Sequence, residues 1–423
     1  MSSRIAEVRG ALALDSRGSP TVKARVVTEG GAVGTAIAPS GASKSVKEAV
    51  ELRDGGARWA GRGVGIAIAN VNEVIAPQLK GIDAREQRFI DRAMIALDGT
   101  EDKSRLGGNA IVAVSLAVAK AAAAQLNLPL YSYLGGVRSH VLPTPFMNVI
   151  NGGAHAGNEL SFQEFMIVPV GADAFSEALR IAVEVYYVLK AYLKEKYGKS
   201  AVNVGDEGGF APPMRRNEEA LEALMESVKR AGYSESHVLL GIDAAASQFY
   251  SSGSYLVDGR ELSPGELRDL YLDLFSRYPL AYLEDPFEEG DFASFAELTS
   301  RVKRALVVGD DLYSTNLKYL RRGLEVRATN AALLKVNQAG TLTESLDFYE
   351  VAKGSGLRVV VSHRSGDSED SFIADLAVAL GSPIKTGAPA RGERTAKYNR
   401  LLEIEEELGG AAEYLGSNFT AVT

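Results

Sequence analysis

The chain of 423 residues has no cysteine, which excludes disulfides, thiolate-held zinc and thiol nucleophiles. It has no long basic run and a net charge of −8, which argues against a nucleic-acid partner. Its most apolar stretch, NAIVAVSLAVAKAAAA (109–124), is short and is broken by Ser115 and Lys120. That stretch reads as a buried helix and not as a membrane span. The opening MSSRIAEVRG lacks the apolar centre of a signal peptide, so the expected compartment is the cytoplasm. Disorder is not expected either, because hydrophobic residues make up 46% of the chain, enough for a sizeable core. An acidic chain that binds an anion must create positive potential locally, with a few fixed cations or with metal ions.

The first third alternates apolar and polar residues from Ile5 to Ile37, with turn signals at Gly18-Ser19-Pro20 and Gly30-Gly31. This pattern predicts an antiparallel meander. Helices are expected over 45–53, 70–80 and 109–125. Strands followed by helices make a small α+β domain, and we place it at residues 1–137. Beyond it the pattern predicts long amphipathic helices at 173–197 and 216–231. Apolar strands each ending in a polar residue then follow: Asp243, Glu284, Asp310, Lys335, His363 and Lys385, at intervals of 41, 26, 25, 28 and 22. The longest interval holds SSGSYLVDGRELSPG (251–265), which reads as an insertion. Repeated strand–helix units form a parallel sheet, and this many favour closure into a (βα)8-type TIM-like barrel over residues 138–423. The strand ends of such a barrel converge on one pocket.

Three carboxylates in one pocket, Asp243, Glu284 and Asp310, repel one another unless a cation lies between them. Hard oxygen ligands without histidine or cysteine point to Mg²⁺, although an acid after a strand also serves as a helix N-cap. Lys335 at a strand end suits either a Schiff base or a general base whose pKa is lowered by Lys385 and a bound cation. The stretch VSHRSG (361–366) places His363, Arg364 and Ser365 together as donors for a phosphate or carboxylate. Two glycine-rich segments complete the expected site. One carries His155, Gln163 and Glu164, and the other carries Glu207. Glu164 and Glu207 can pair so that one stays protonated. PSGASKS (39–45) suits a lid over a bound anion.

These segments occur in order as LDSRGSPTV, PSGAS, NVINGGAHAGN, GDEGGFAP, GIDAAASQF, LEDPF, GDDL, LLKVNQAGTLTES, SHRSGDSEDSF and IKTGAPARGER. In that series the chain resembles the enolase family along its whole length. The resemblance implies a barrel irregular near its start and reversible dehydration of 2-phosphoglycerate to phosphoenolpyruvate. It also implies two Mg²⁺ ions, the second arriving with substrate, and a homodimer or larger ring. Asp243, Glu284 and Asp310 match the ligands of the first ion, and Ser43 matches a lid contact to the second. Lys335 matches the base at C2, and Glu207 the acid at the departing hydroxyl, with Glu164 beside it. Arg364 and Ser365 match the phosphate grip, His155 closes over it, and Lys385 matches the carboxylate contact. Ser19, Lys44-Ser45 and Asp367 depart from the family's usual residues. Two rivals share parts of this pattern. One is a metal-dependent barrel enzyme forming an enolate from another acid, and the other is a lysine Schiff-base aldolase.

Overall fold

The computed structural model describes residues 2–41 and 45–420. The meander forms as expected. Strands β1 (Ile5–Leu14), β2 (Pro20–Thr28) and β3 (Val33–Ile37) make an antiparallel sheet in the order β1-β2-β3. Gly18 and Gly31 turn the chain at φ of 73° and 89°, conformations that cost glycine little. The sheet packs on α2 (Gly108–Gln125), with α1 (Gln87–Asp98) alongside. Alanine lines α2 because sheet and helix nearly touch. A Cβ added at Gly34 would lie 2.0 Å from the Ala117 carbonyl oxygen. By length and composition α2 is apolar enough to cross a membrane, but 83% of it is buried within the protein, as a core helix is.

One expected helix is absent. Residues 45–53 form turns and irregular chain. Their polar groups are committed to distant partners and are not left for helical pairing. The Ala49 and Val50 amides donate to the carbonyls of Gln338 and Asp102. The Lys47 ammonium donates to the carbonyls of Glu289 and Asp311 at 2.9 and 2.8 Å. The expected helix at 70–80 forms with a wide turn, a π-helical segment over Asn70–Ile75 that runs into Ala76–Leu79. Pro77 has no amide hydrogen to continue an ordinary ladder there.

The second part closes an eight-stranded barrel. Its strands are β4 (Pro145–Asn151), β5 (Glu164–Pro169), β6 (Val238–Asp243), β7 (Leu280–Glu284), β8 (Leu306–Gly309), β9 (Ala331–Leu334), β10 (Arg358–Ser362) and β11 (Ile384–Lys385). Strand β5 runs antiparallel to both neighbours, and the other pairs are parallel. The irregular start is therefore present. Helices that include α3 (Phe175–Tyr197), α4 (Asn217–Arg230) and α5 (Gly392–Leu408) belong to this part. The insertion folds as a small sheet of Tyr250–Ser251, Ser254–Val257 and Arg260–Leu262.

Side chains two apart on a strand share a face. Phe146, Met166, Val168, Tyr282, Val308, Leu333 and Val360 form one cluster within the barrel, with Phe419. The C-terminal segment is tied below β4, where Thr144 donates to the Gly416 carbonyl at 2.7 Å. Phe419 meets Phe146 edge-on at 5.1 Å, and so plugs the end opposite the mouth. Continuing each inward row by two residues gives the mouth. Met166 leads to Glu164, Gly241 to Asp243, Tyr282 to Glu284, Val308 to Asp310 and Leu333 to Lys335.

Candidate active site

The antiparallel strand explains how Glu164 reaches the mouth. Running backwards, β5 begins where its neighbours end, and Glu164 is in register with Asn151 on one side and Asp243 on the other. Asp243 is in register with Glu284, so the row Asn151–Glu164–Asp243–Glu284 lies at one level. The sequence reading put Gln163 and Glu164 on the glycine-rich loop; Glu164 instead opens a strand. Gln163 directly precedes that strand and its side chain donates to Asp243 at 3.4 Å. A single pocket is lined by His155, Gln163, Glu164, Glu207, Asp243, Asp310, Lys335, His363, Arg364, Ser365 and Lys385. Glu284 is fully buried and touches the same groups from below. Ser43 lies outside the described residues.

Lys385 is the hub. Its ammonium is 2.6 Å from Glu284, 3.0 Å from Asp243 and 3.2 Å from Glu164. Lys335 pairs with Asp310. These lysines reach the carboxylates that the sequence singled out as metal ligands. The clusters of ligand atoms within 4.8 Å of one another, among the described residues, are therefore different ones, His155–Glu164–Glu207 and Asp285–Asp310–Asp311.

Acid is in excess here. Burial and the charges of its neighbours push the Glu284 carboxyl up to about 8. Burial and Asp310 push Asp311 up to about 7. Oε1 of Glu284 is buried without a hydrogen-bond partner among the described residues. An all-oxygen donor set with surplus charge and an unsatisfied carboxylate oxygen fits a hard divalent cation. Acidic groups at this mouth that could hold one include Asp285, Asp310 and Asp311, whose ligand oxygens lie together.

As a general base, Lys335 was expected to be lowered by Lys385 together with a bound cation. Burial does oppose its charge, but the Asp310 carboxylate prevails and its pKa is raised. Of the acid pair, one member was expected to stay protonated, with neither singled out. Burial and the charge of Glu207 raise Glu164 well above the carboxylate range. Glu207 is lowered well below it against the cost of burial, because His363, His155, Arg394 and Lys385 surround it. The two carboxyls are thus pushed in opposite directions, and His155 Nδ1 lies near both at 3.9 and 3.8 Å.

The anion grip is held from the other domain. Arg364 pairs two-pronged with Glu48 of the cap at 2.8 and 3.2 Å. Gln338 bridges Glu48 and Asp310 at 3.4 and 3.2 Å. Asp285 is left-handed at φ 41°, and its carboxylate accepts the Asp310 and Asp311 amides at 2.9 and 2.8 Å. Backbone strain of this kind persists where surrounding contacts impose it. Here it aims the two acids. Glu48, Asp285, Gln338 and Arg394 were all missed from sequence. Only the adjacency of Asp285 to Glu284 offered a signal.

Surplus carboxylate at a barrel mouth is chemistry for a divalent cation, and an enclosed lysine beside it is chemistry for moving a proton. Together they define a class, metal-dependent barrel enzymes that act on anionic acids. Comparison with known proteins narrows the class. Residues 5–134 match the enolase N-terminal domain and residues 139–423 the enolase C-terminal TIM barrel domain. The chain is 59% identical to the enolase of Methanocaldococcus jannaschii over 96% of both chains. It is 57% identical to that of Aeropyrum pernix over 99% of this chain and 98% of the relative. Against the enolase of Pyrococcus furiosus it is 56% identical over 97% and 96%. The chain belongs to the enolase family.

Proposed function

We propose that the mouth of the barrel carries out the enolase reaction with Lys335 as base and the Glu164–Glu207 pair as acid. The activity is that of phosphopyruvate hydratase, a lyase of glycolysis that interconverts 2-phospho-D-glycerate and phosphoenolpyruvate. The observation that carries the residue assignment is the position of Lys335. It pairs with Asp310 at the end of β9, the strand that stands opposite β5 and its Glu164 in the closed ring. Removal of the proton at C2 and loss of the hydroxyl at C3 need groups on different sides of the substrate.

Arg364 and Ser365, with His155 closing from its loop, bind the phosphate. Lys385 binds the carboxylate, and Gln163 and His363 line the remaining wall. Asp243, Glu284 and Asp310 would hold one Mg²⁺, with Ser43 a contact to a second that would accompany substrate. Such cations neutralise the charge that develops on the substrate carboxylate as C2 loses its proton. Burial, Arg364 and Lys385 act to lower the Lys335 pKa and Asp310 to raise it, so the amine's readiness to accept a proton depends on how far Asp310 is engaged elsewhere. Glu164, the carboxyl raised by burial and by the charge of Glu207, passes a proton to Glu207, which delivers it to the departing hydroxyl.

The division between cap and barrel falls at 137/138, in keeping with the two matched segments. The enzyme we propose is cytoplasmic and forms a homodimer or larger ring, with neither nucleic acid nor membrane as partner.

The reaction is tested by absorbance growth at the enol-ester band. Growth is expected with 2-phosphoglycerate and Mg²⁺. None is expected with unphosphorylated glycerate or after chelation, and equal turnover of the unphosphorylated acid would refute the phosphate grip. A second test concerns the ligands. Glu284 at about 8 holds its proton at pH 7, and a carboxylate must lose that proton to bind metal. Mg²⁺ binding at pH 7 is therefore expected to release protons, and affinity should rise until the pH passes about 8. Calorimetry in two buffers of different ionisation heat reads this directly. Identical heats in both would remove Glu284 from the ligand set.

A further inference from the structure

Arg394 is an arginine with no exposed surface, and its guanidinium sits behind the turn that ends β10. Its donors reach His363 Nδ1 at 2.5 Å, the Arg364 carbonyl at 2.7 Å, the Ser365 carbonyl at 2.7 Å and the Asp206 carbonyl at 3.2 Å. A guanidinium donates hydrogen bonds and accepts none. Nδ1 of His363 must therefore be the acceptor, which leaves the ring neutral with its hydrogen on Nε2. That Nε2 is buried, has no hydrogen-bond partner among the described residues and lies 3.6 Å from Glu207 Oε2. His363 itself lines the pocket.

The support behind the turn is charged. Asp367 accepts from Lys397 at 2.7 Å and from the Arg364 amide at 3.2 Å, and it lies 3.9 Å from Arg394. The groups facing His363 are thus the acids Glu207 and Asp367 and the cations Arg394 and Lys385. Burial and the two cations oppose a proton on the ring, and together they outweigh the acids.

We infer that Arg394 is a positioning residue that fixes His363 as its neutral Nε2–H tautomer, a standing hydrogen-bond donor into the pocket and not a proton carrier. The tautomer follows from the contact alone. Its consequence rests on the reaction proposed above: His363 holds the Glu207 side of the pocket without competing with the acid pair for the proton.

The chain has four histidines, so nitrogen NMR of the histidine-labelled enzyme resolves the question, with His363 assigned by its loss in His363→Gln. The expected spectrum shows the Nε2–H pattern, unchanged between about pH 6 and 9, while an ordinary histidine titrates within that window. An Nδ1–H pattern, or titration near the ordinary value, overturns the inference. Arg394→Lys can still donate to Nδ1 and should keep the tautomer. Arg394→Met should lose it, let His363 titrate, and lower kcat by about 10²–10³-fold, the effect of losing one preorganised donor. A folded Arg394→Met enzyme that keeps the tautomer also overturns it. If that variant does not fold, the wild-type spectrum decides. A wrong tautomer in an enzyme that turns over 2-phosphoglycerate refutes this inference alone, whereas a correct tautomer without turnover refutes the reaction assignment alone.

Discussion

Lys335→Ala is expected to abolish exchange of the C2 proton of 2-phosphoglycerate with solvent and to lower kcat by about 10⁴-fold, the upper range for loss of one general base. Lys335 stands at the end of β9, one residue beyond Leu334, with its backbone amide held by Thr315 at 3.0 Å. The truncation leaves Asp243, Glu284 and Asp310 in place. Mg²⁺ should still bind, and at least as tightly, because the ammonium that pairs with Asp310 is gone. Two measurements separate the outcomes: deuterium exchange at C2 followed by NMR, and Mg²⁺ titration by calorimetry. Exchange at the wild-type rate would show the base to be misassigned. Loss of Mg²⁺ affinity together with exchange would make Lys335 a structural partner of Asp310. The same residue distinguishes the aldolase reading. A Schiff-base lysine must attack a carbonyl and is trapped by borohydride, and its activity survives chelation. Lys335 is held as an ammonium by its pair with Asp310, which disfavours attack on a carbonyl, so no trapping is expected.

What could be read from the amino-acid order was whatever rests on period and spacing. The meander, the barrel and the convergence of Asp243, Glu284, Asp310, Lys335, His363 and Lys385 all follow from apolar runs that end in one polar residue. The two-residue period of a strand carries the inward row to its last position. What could not be read depends on contacts between distant segments. Residues 45–53 carry a helical pattern, yet Lys47 and Glu48 are spent on the barrel, Lys47 on carbonyls and Glu48 on Arg364. No local signal reports that. Glu164 was placed on a loop because the reversal of β5 cannot be inferred from a sequence that otherwise implies parallel strands. Arg394 lies in GAPARGER among other charged residues, and only packing distinguishes it from the exposed Arg391 that reaches Glu393. Protonation was the least legible of all. Spacing brings Glu164 and Glu207 together, but which of them is lowered is settled by groups such as His363, His155 and Arg394, which come from other strands and loops.

Glu207→Gln should produce the complementary phenotype, with C2 exchange retained and net dehydration lowered by about 10²–10⁴-fold, the range for loss of a general acid. Glutamine keeps the shape and can still meet Asn148, which now donates to the Glu207 carboxylate at 3.1 Å, so a gross collapse of the pocket is not expected. It has no acidic proton to deliver. Because Lys335 pairs with Asp310 and takes no part in the contacts around Glu207, proton removal should proceed without loss of the hydroxyl. The pH dependence follows from the coupling of the two carboxyls. In the wild type, two buried like charges cannot both ionise freely. With Glu207 neutral by substitution, the charge that helps keep Glu164 protonated is gone. The Glu164 pKa should fall, and its titration should move to lower pH. Exchange followed by NMR, turnover followed by absorbance, and a pH profile of each decide the matter. If both steps fail together while the variant remains folded and binds substrate, acid and base are one unit, and the separation of roles between Lys335 and Glu207 is wrong.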